Sequence, residues 1–138
     1  MLKKKWQNYV KFSIHRRIEE YLMTRYIIAL SELNIKNSDI IILLQNHYDD
    51  IKNMFENIGI FDKCLDLVAY YETFSDKDAL EEALTKADEI ISKNEILNIK
   101  TTYYAANTYP RALMLIDNPP AIIYYKGAEF SEISNISV

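Results

Sequence analysis

Apolar positions fall at helical spacing through most of the first 95 residues. Trp6, Val10, Ile14, Ile18, Leu22 and Tyr26 recur every four residues, and no Pro or Gly interrupts residues 5–33. Strict four-residue spacing drifts by about 40° per step against a turn of 3.6 residues, so one straight helix would carry this stripe around itself. The pattern therefore predicts helix over 5–33, with a break expected between Ile14 and Thr24. Ser38 precedes Asp39, Ile40, Ile41, Ile42, Leu43 and Leu44. A Ser oxygen can cover a free amide of a first helical turn, so Ser38 is read as an N-cap and the run as a helix, with a buried strand as the alternative. Asp49 or Asp50 is expected to start the next helix, through Met54, Phe55 and Ile58. Gly59 is read as its stop, because Gly takes the left-handed conformation at little cost. Phe61, Leu65, Val68, Ala69 and Thr73 mark a further periodic segment.

The clearest helix covers 76–93. Ala79, Leu80, Ala83, Leu84, Ala87, Ile90 and Ile91 follow three-and-four spacing, and Ser75 with Asp78 resembles a capping box. Asp76, Asp78, Glu81 and Glu82 place negative charge where the helix dipole favours it.

The pattern changes after Asn94. Ile96, Leu97, Ile99 and the Thr101–Tyr104 run favour extended backbone. Pro110 suits the first position of a short helix reaching Ile116, ended by Asp117-Asn118-Pro119-Pro120. Residues 121–125 read as a strand closed by Lys126-Gly127, and Ile136-Ser137-Val138 as the opening of another. The fold class is thus mainly α: a basic helical extension over 1–22, a helical domain over 23–95, and short α and β pieces over 96–138.

Charge sharpens this division. The net charge is −4 over 138 residues. Residues 1–25 hold seven basic and two acidic residues, a balance of +5, and the remainder carries −9. Phosphate neutralisation by Lys and Arg supplies most non-specific affinity for nucleic acid, so the acidic bulk of the chain is a poor binder. The candidate footprint is Lys3, Lys4, Lys5, Lys11, Arg16 and Arg17, with Arg25 beyond them. On an ideal helix these residues point in several directions. Trp6 and Tyr9 could stack on bases there.

Catalytic and metal-binding signals are sparse. One Cys, Cys64, can form no internal disulfide and no Cys-based zinc site. It falls in an apolar helical pattern, which reads as a buried, inert thiol. His15 and His47 have no Asp, Cys or Ser partner by spacing, so no metal site, cofactor or triad is expected. Adjacent carboxylates at Glu81-Glu82 and Asp88-Glu89 read as a solvated face rather than an acid–base pair. Two Gly in the chain exclude a Gly-rich phosphate loop. Three Tyr doublets, at 70–71, 103–104 and 124–125, would place one ring inward and one outward wherever they lie on strands. Apolar runs fall far short of the roughly 20 residues of a spanning helix, and the basic start lacks the apolar core of a signal peptide, which points to the cytoplasm.

One stretch is specific. Tyr109-Pro110, Leu113, Ile116, Asp117, Pro119-Pro120, and Ile123-Tyr124-Tyr125-Lys126-Gly127 resemble the entry to the DNA-processing protein A (DprA/Smf) family. The resemblance is strong over 86–138, with Ser134-Asn135-Ile136-Ser137-Val138 where the family's Gly-Ser/Thr-Arg strand begins. It extends more faintly over 23–85, where Tyr26-Ile27-Ile28-Ala29-Leu30 looks like a common start of such proteins. It implies a sterile-alpha-motif-like helical domain followed by the first pieces of a Rossmann-like core. It implies a non-enzymatic mediator of recombination and natural transformation that binds single-stranded DNA and loads RecA. The family's DNA pocket lies around a Gly-Ser-Arg turn that this sequence does not contain, so the region is expected to serve docking, with a homodimer through exposed strand edges. The Gly-rich turns that many relatives place in the helical region are replaced by Asn34-Ile35-Lys36-Asn37. Tyr109, Pro110, Leu113, Asp117, Pro119, Pro120, Tyr125, Lys126 and Gly127 are structural in this reading, the prolines because they lock φ and restrict the residue before them.

Overall fold

A computed structural model describes residues 2–127, with side chains from Arg17 to Gly127. The protein is mainly α, with a small two-stranded sheet. Helix α1 (Leu2–Glu32) is followed by α2 (Asn37–Asn46), a 3₁₀ turn at Tyr48–Asp50, α3 (Ile51–Glu56) and α4 (Ile60–Lys63). A 3₁₀ segment at Leu65–Tyr70 leads to α5 (Tyr71–Ser75) and α6 (Lys77–Ile96). Strand β1 (Lys100–Tyr103), a 3₁₀ turn at Arg111–Leu115 and strand β2 (Ile122–Tyr125) complete the described chain. The expected strand at 136–138 lies outside the described residues.

The expected break in α1 is absent: one helix runs from Leu2 to Glu32. Without Pro or Gly nothing forces a kink. Nor does the drifting stripe need a single apolar surface to cover it. Ile18 is half exposed, and full burial starts at Tyr26. There the five consecutive residues Tyr26, Ile27, Ile28, Ala29 and Leu30 are all buried, which requires protein on every side of the helix. Tyr26, Ile27 and Leu30 join Ile40, Leu43, Leu44, Ile51, Met54, Phe61, Leu67 and Phe74 in the main core. Ile28 and Ala29 face the other way and pack with Ala83 and Ala87 of α6. Small side chains on both helices allow close approach along this seam.

Both long helices end on an asparagine. Asn34 and Asn98 have φ of 63° and 57°. After α1, Ile35 N–H donates to Leu30 O at 3.3 Å and Asn34 N–H to Ser31 O at 3.1 Å. After α6, Ile99 N–H donates to Asn94 O at 2.7 Å and Asn98 N–H to Glu95 O at 3.3 Å. This is the Schellman pattern, with Asn in the place Gly usually takes and an apolar residue next to it. Gly59, by contrast, has φ −62° and opens α4, so it is not a left-handed stop. Helix α3 ends at Asn57 instead, with the Asn57 side chain accepting from Gly59 N–H at 3.1 Å.

Other caps also differ from the sequence reading. Helix α2 starts at Asn37, so Ser38 lies inside its first turn, whereas Asp50 does stand at the N-cap of α3, as expected, without a side-chain cap bond. At α6 the N-cap is Asp76, whose carboxylate accepts from Ala79 N–H at 3.1 Å, while Ser75 Oγ donates to Tyr71 O. The periodic segment 61–73 is three short pieces. Its buried residues are Phe61 and Leu67, with Phe74 just beyond it, whereas Leu65 and Val68 are exposed. Aromatic packing replaces helical periodicity there: Phe55 meets Tyr26 and Phe74, and Phe61 meets Phe74 and Tyr71.

Strands β1 and β2 pair antiparallel, with Lys100 opposite Tyr125 and Tyr103 opposite Ile122. Tyr124 is exposed and Tyr125 buried, as a strand doublet should be. Tyr104, Tyr109 and Ala121 join the main core, so the segment after α6 shares its apolar interior with the helices.

Candidate functional site

Two regions carry the sequence-derived residues. The first is the basic half of α1. Its backbone is continuous helix, but the side chains of Lys3, Lys4, Lys5, Lys11 and Arg16 lie outside the described residues. Arg17 is exposed. Arg25 is committed elsewhere: its Nε lies 2.8 Å and its Nη2 3.1 Å from the two oxygens of Asp88 on α6. Tyr21 Oη donates to the same carboxylate at 3.1 Å. The Asp88 bond holds the Arg25 guanidinium above its ordinary pKa, and burial followed by that hydrogen bond raises the Tyr21 phenol. Arg25 therefore staples α1 to α6, and the basic footprint ends at Arg17.

Beyond Arg17 the same helix turns acidic. Glu19 and Glu20 flank a cleft of about 380 Å³, lined also by Leu22, Tyr26, Asp49 and Tyr103. Tyr48 and Tyr103 join their hydroxyls across it at 3.2 Å. Burial, then the Tyr48 hydrogen bond, pushes the Tyr103 phenol far above its ordinary range. Three carboxylates against the single cation of Lys52 leave the lining negative, which disfavours a phosphate there.

The second region is the signature run at 109–127, which folds back onto the start of α2. Tyr109 is buried against Tyr104, with ring centroids 5.3 Å apart, and its hydroxyl donates to Pro120 O at 2.7 Å. Pro110 precedes the 3₁₀ turn, the short helix expected there, and Leu113 packs on the core. Asp117 is exposed, and Asn118 takes φ 53° to turn the chain into Pro119 and Pro120. Asn37 then grips this turn. Its Nδ2 donates to Pro119 O at 2.7 Å, and its Oδ1 accepts from the Ala121 N–H at 2.6 Å. Tyr104 N–H donates to Ala121 O at 2.8 Å, so both peptide groups of the buried Ala121 are partnered. Tyr125 is buried, Lys126 is exposed, and Gly127 has φ 98°, the turn conformation read for it.

A third group was not legible from spacing. His47 lies at the end of α2, with Asp50 Oδ2 3.2 Å from its Nδ1 and Asp66 Oδ2 3.7 Å from its Nε2. Cys64 completes the group: one ligand atom from each of His47, Cys64 and Asp66 falls within 4.8 Å of the others. His47 thus has the Asp and Cys neighbours that linear distance concealed. Asp50 at i+3 was the available signal.

No helix among the described residues is long and apolar enough to cross a membrane. No family model, curated protein or solved structure matches the chain.

Proposed function

We propose that this chain is the N-terminal interaction region of a DprA-like mediator of recombination, which binds single-stranded DNA in the cytoplasm and loads RecA during DNA uptake and transformation. One observation supports the reading above others. The residues that carry the resemblance, from Tyr109 to Gly127, act together as one folded turn-and-strand unit, with Tyr109 clasping Pro120 and Asn37 clasping Pro119 and Ala121. Such residues serve shape rather than chemistry, as a family signature at a domain entrance would. In this reading the helices form the sterile-alpha-motif-like domain, β1 and β2 belong to the approach to a Rossmann-like core, and the role is docking rather than catalysis. RecA and a second copy of the chain are the partners it implies.

A second reading rests on the charge asymmetry, a balance of +5 over residues 1–25 against −9 over the remainder. It makes the chain a nucleic-acid-binding accessory protein in its own right. Anisotropy of a labelled single-stranded oligonucleotide, titrated at low and at physiological salt, separates the two. Docking predicts no binding at physiological salt and, at most, weak low-salt binding. The accessory reading predicts binding that falls steeply with salt and is lost in the Lys3→Glu, Lys4→Glu, Lys5→Glu variant. Tight binding that survives physiological salt in that variant defeats both, because it needs a DNA site within the acidic body.

A further inference from the structure

We infer that His47, Cys64 and Asp66 form a binding site for a zinc-class divalent cation, with Asp50 as the residue that orients the imidazole. The donor set is imidazole nitrogen, thiolate sulfur and carboxylate oxygen. Zinc accepts all three, whereas magnesium and calcium favour oxygen alone. Two anionic donors offset the charge of a divalent ion.

The geometry is close to what such an ion needs. Tetrahedral zinc, with bonds of about 2.0–2.3 Å, sets neighbouring N, O and S ligand atoms about 3.4–3.6 Å apart. His47 Nε2 and Asp66 Oδ2 already stand at 3.7 Å, and the three ligand atoms lie within 4.8 Å of one another. Asp66, whose side chain is 81% exposed, can follow the ion by a rotamer change. The His47 side chain is 14% exposed, so the imidazole is well enclosed.

Asp50 supplies the outer support that metal-bound histidines usually have. A carboxylate beside Nδ1 holds the proton on that nitrogen and leaves the Nε2 lone pair for the cation. The backbone fixes both anchors. His47 N–H donates to Leu43 O at 2.8 Å, and Asp50 N–H returns to His47 O at 3.0 Å. Cys64 N–H donates to Ile60 O at 3.0 Å, while Cys64 O accepts from the buried Leu67 at 3.1 Å. The cation would thus join the end of α2 to the junction after α4, where the chain has only short helical pieces. Three protein ligands leave a fourth position for water or for a donor from a partner.

Cobalt(II) tests the site, because cobalt bound to a thiolate has a near-ultraviolet charge-transfer band and four-coordinate cobalt absorbs strongly in the visible. The tag-free, reduced, chelator-stripped full chain is titrated with cobalt and then back-titrated with zinc. Expected is a one-to-one charge-transfer band that zinc removes. Cys64→Ser abolishes the band. Asp66→Asn, an exposed position whose substitution leaves the core intact, weakens cobalt binding at least tenfold. Asp50→Asn keeps the band but weakens affinity by about 10–100-fold, the usual effect of losing an outer partner. Circular dichroism of the stripped variants reports that each is folded. Absence of the band in the wild-type chain overturns the assignment. So does a band that persists in Cys64→Ser, or cobalt affinity unchanged in Asp66→Asn.

Discussion

The seam between α1 and α6 and the clasp between α2 and the 109–125 segment hold the same molecule together by different means. At the seam, Ile28 and Ala29 meet Ala83 and Ala87 in an apolar centre, with the Tyr21 and Arg25 bonds to Asp88 at its edge. At the clasp, one side chain, Asn37, satisfies a carbonyl and an amide more than eighty residues away, and Tyr109 closes the turn with a third bond. Apolar burial is roughly proportional to area and tolerates small shifts. A buried hydrogen bond is directional, and removing one partner exposes the other to the full cost of desolvation. The seam therefore should govern global stability, and the clasp should govern whether the C-terminal segment stays docked.

The largest effect should come from the centre of α1. Leu30 is fully buried in the main core, and Leu30→Ala should cost about 2–5 kcal/mol, read as an earlier urea midpoint. The loss should be global, with circular dichroism and tyrosine fluorescence reporting one transition. Two separate transitions would show that the core does not act as a unit.

Asn37→Ala comes next, at about 1–3 kcal/mol. Its signature should be local. Amide exchange should accelerate at Tyr104 and Ala121, whose peptide groups meet beside Asn37, while Ile27 and Leu30 keep their protection. Equal acceleration in α1 would make the clasp part of the global core. Tyr109→Phe removes one bond and keeps the ring, so it should act in the same place at about 1 kcal/mol.

Alkali should loosen the core at a different point. Burial, then the hydrogen bond to Glu56 at 2.6 Å, pushes the Tyr26 phenol up to about 12. Because the folded state holds this proton more tightly, its contribution is complete below the unfolded value near 10 and is lost as pH rises through about 12. The phenols of Tyr21, Tyr70, Tyr103, Tyr109 and Tyr124 are raised too and act in the same direction. Tyr26→Phe should flatten, without abolishing, the fall in urea midpoint across this range. An unchanged slope would mean the phenol ionises without disturbing α1.

The comparison also explains what could be read in advance. Helix α6 was legible because Ala83, Leu84, Ala87, Ile90 and Ile91 repeat one helical face, and the strand at 121–125 because β-branched and aromatic residues run together there. The break expected in α1 does not occur because a drifting stripe signals a break only when one face is buried, and α1 is half exposed at Ile18 and enclosed on all sides around Ile28. The helix stops fall on Asn34 and Asn98, and Asn marks the left-handed position less distinctly than Gly because it also occurs in many other settings. The clasp and the His47 group join residues remote along the chain, and polar side chains leave no periodicity to announce such partners. The commitment of Arg25 to Asp88 was hidden for the same reason.

That pair offers the smallest and most discriminating test of the seam. Arg25 and Asp88 make two parallel hydrogen bonds, but their side chains are 26% and 40% exposed. Water screens such pairs, and their coupling in double-mutant cycles is typically about 0.2–1 kcal/mol. Arg25→Ala, Asp88→Ala and the double variant should therefore yield a coupling within that range, and added salt should reduce it. The two-pronged geometry favours the upper end, since it fixes orientation as well as distance. A coupling above about 2 kcal/mol would exceed what exposed pairs supply. It would mean that the staple positions α1 on α6, rather than resting on a seam that Ile28, Ala29, Ala83 and Ala87 have already set.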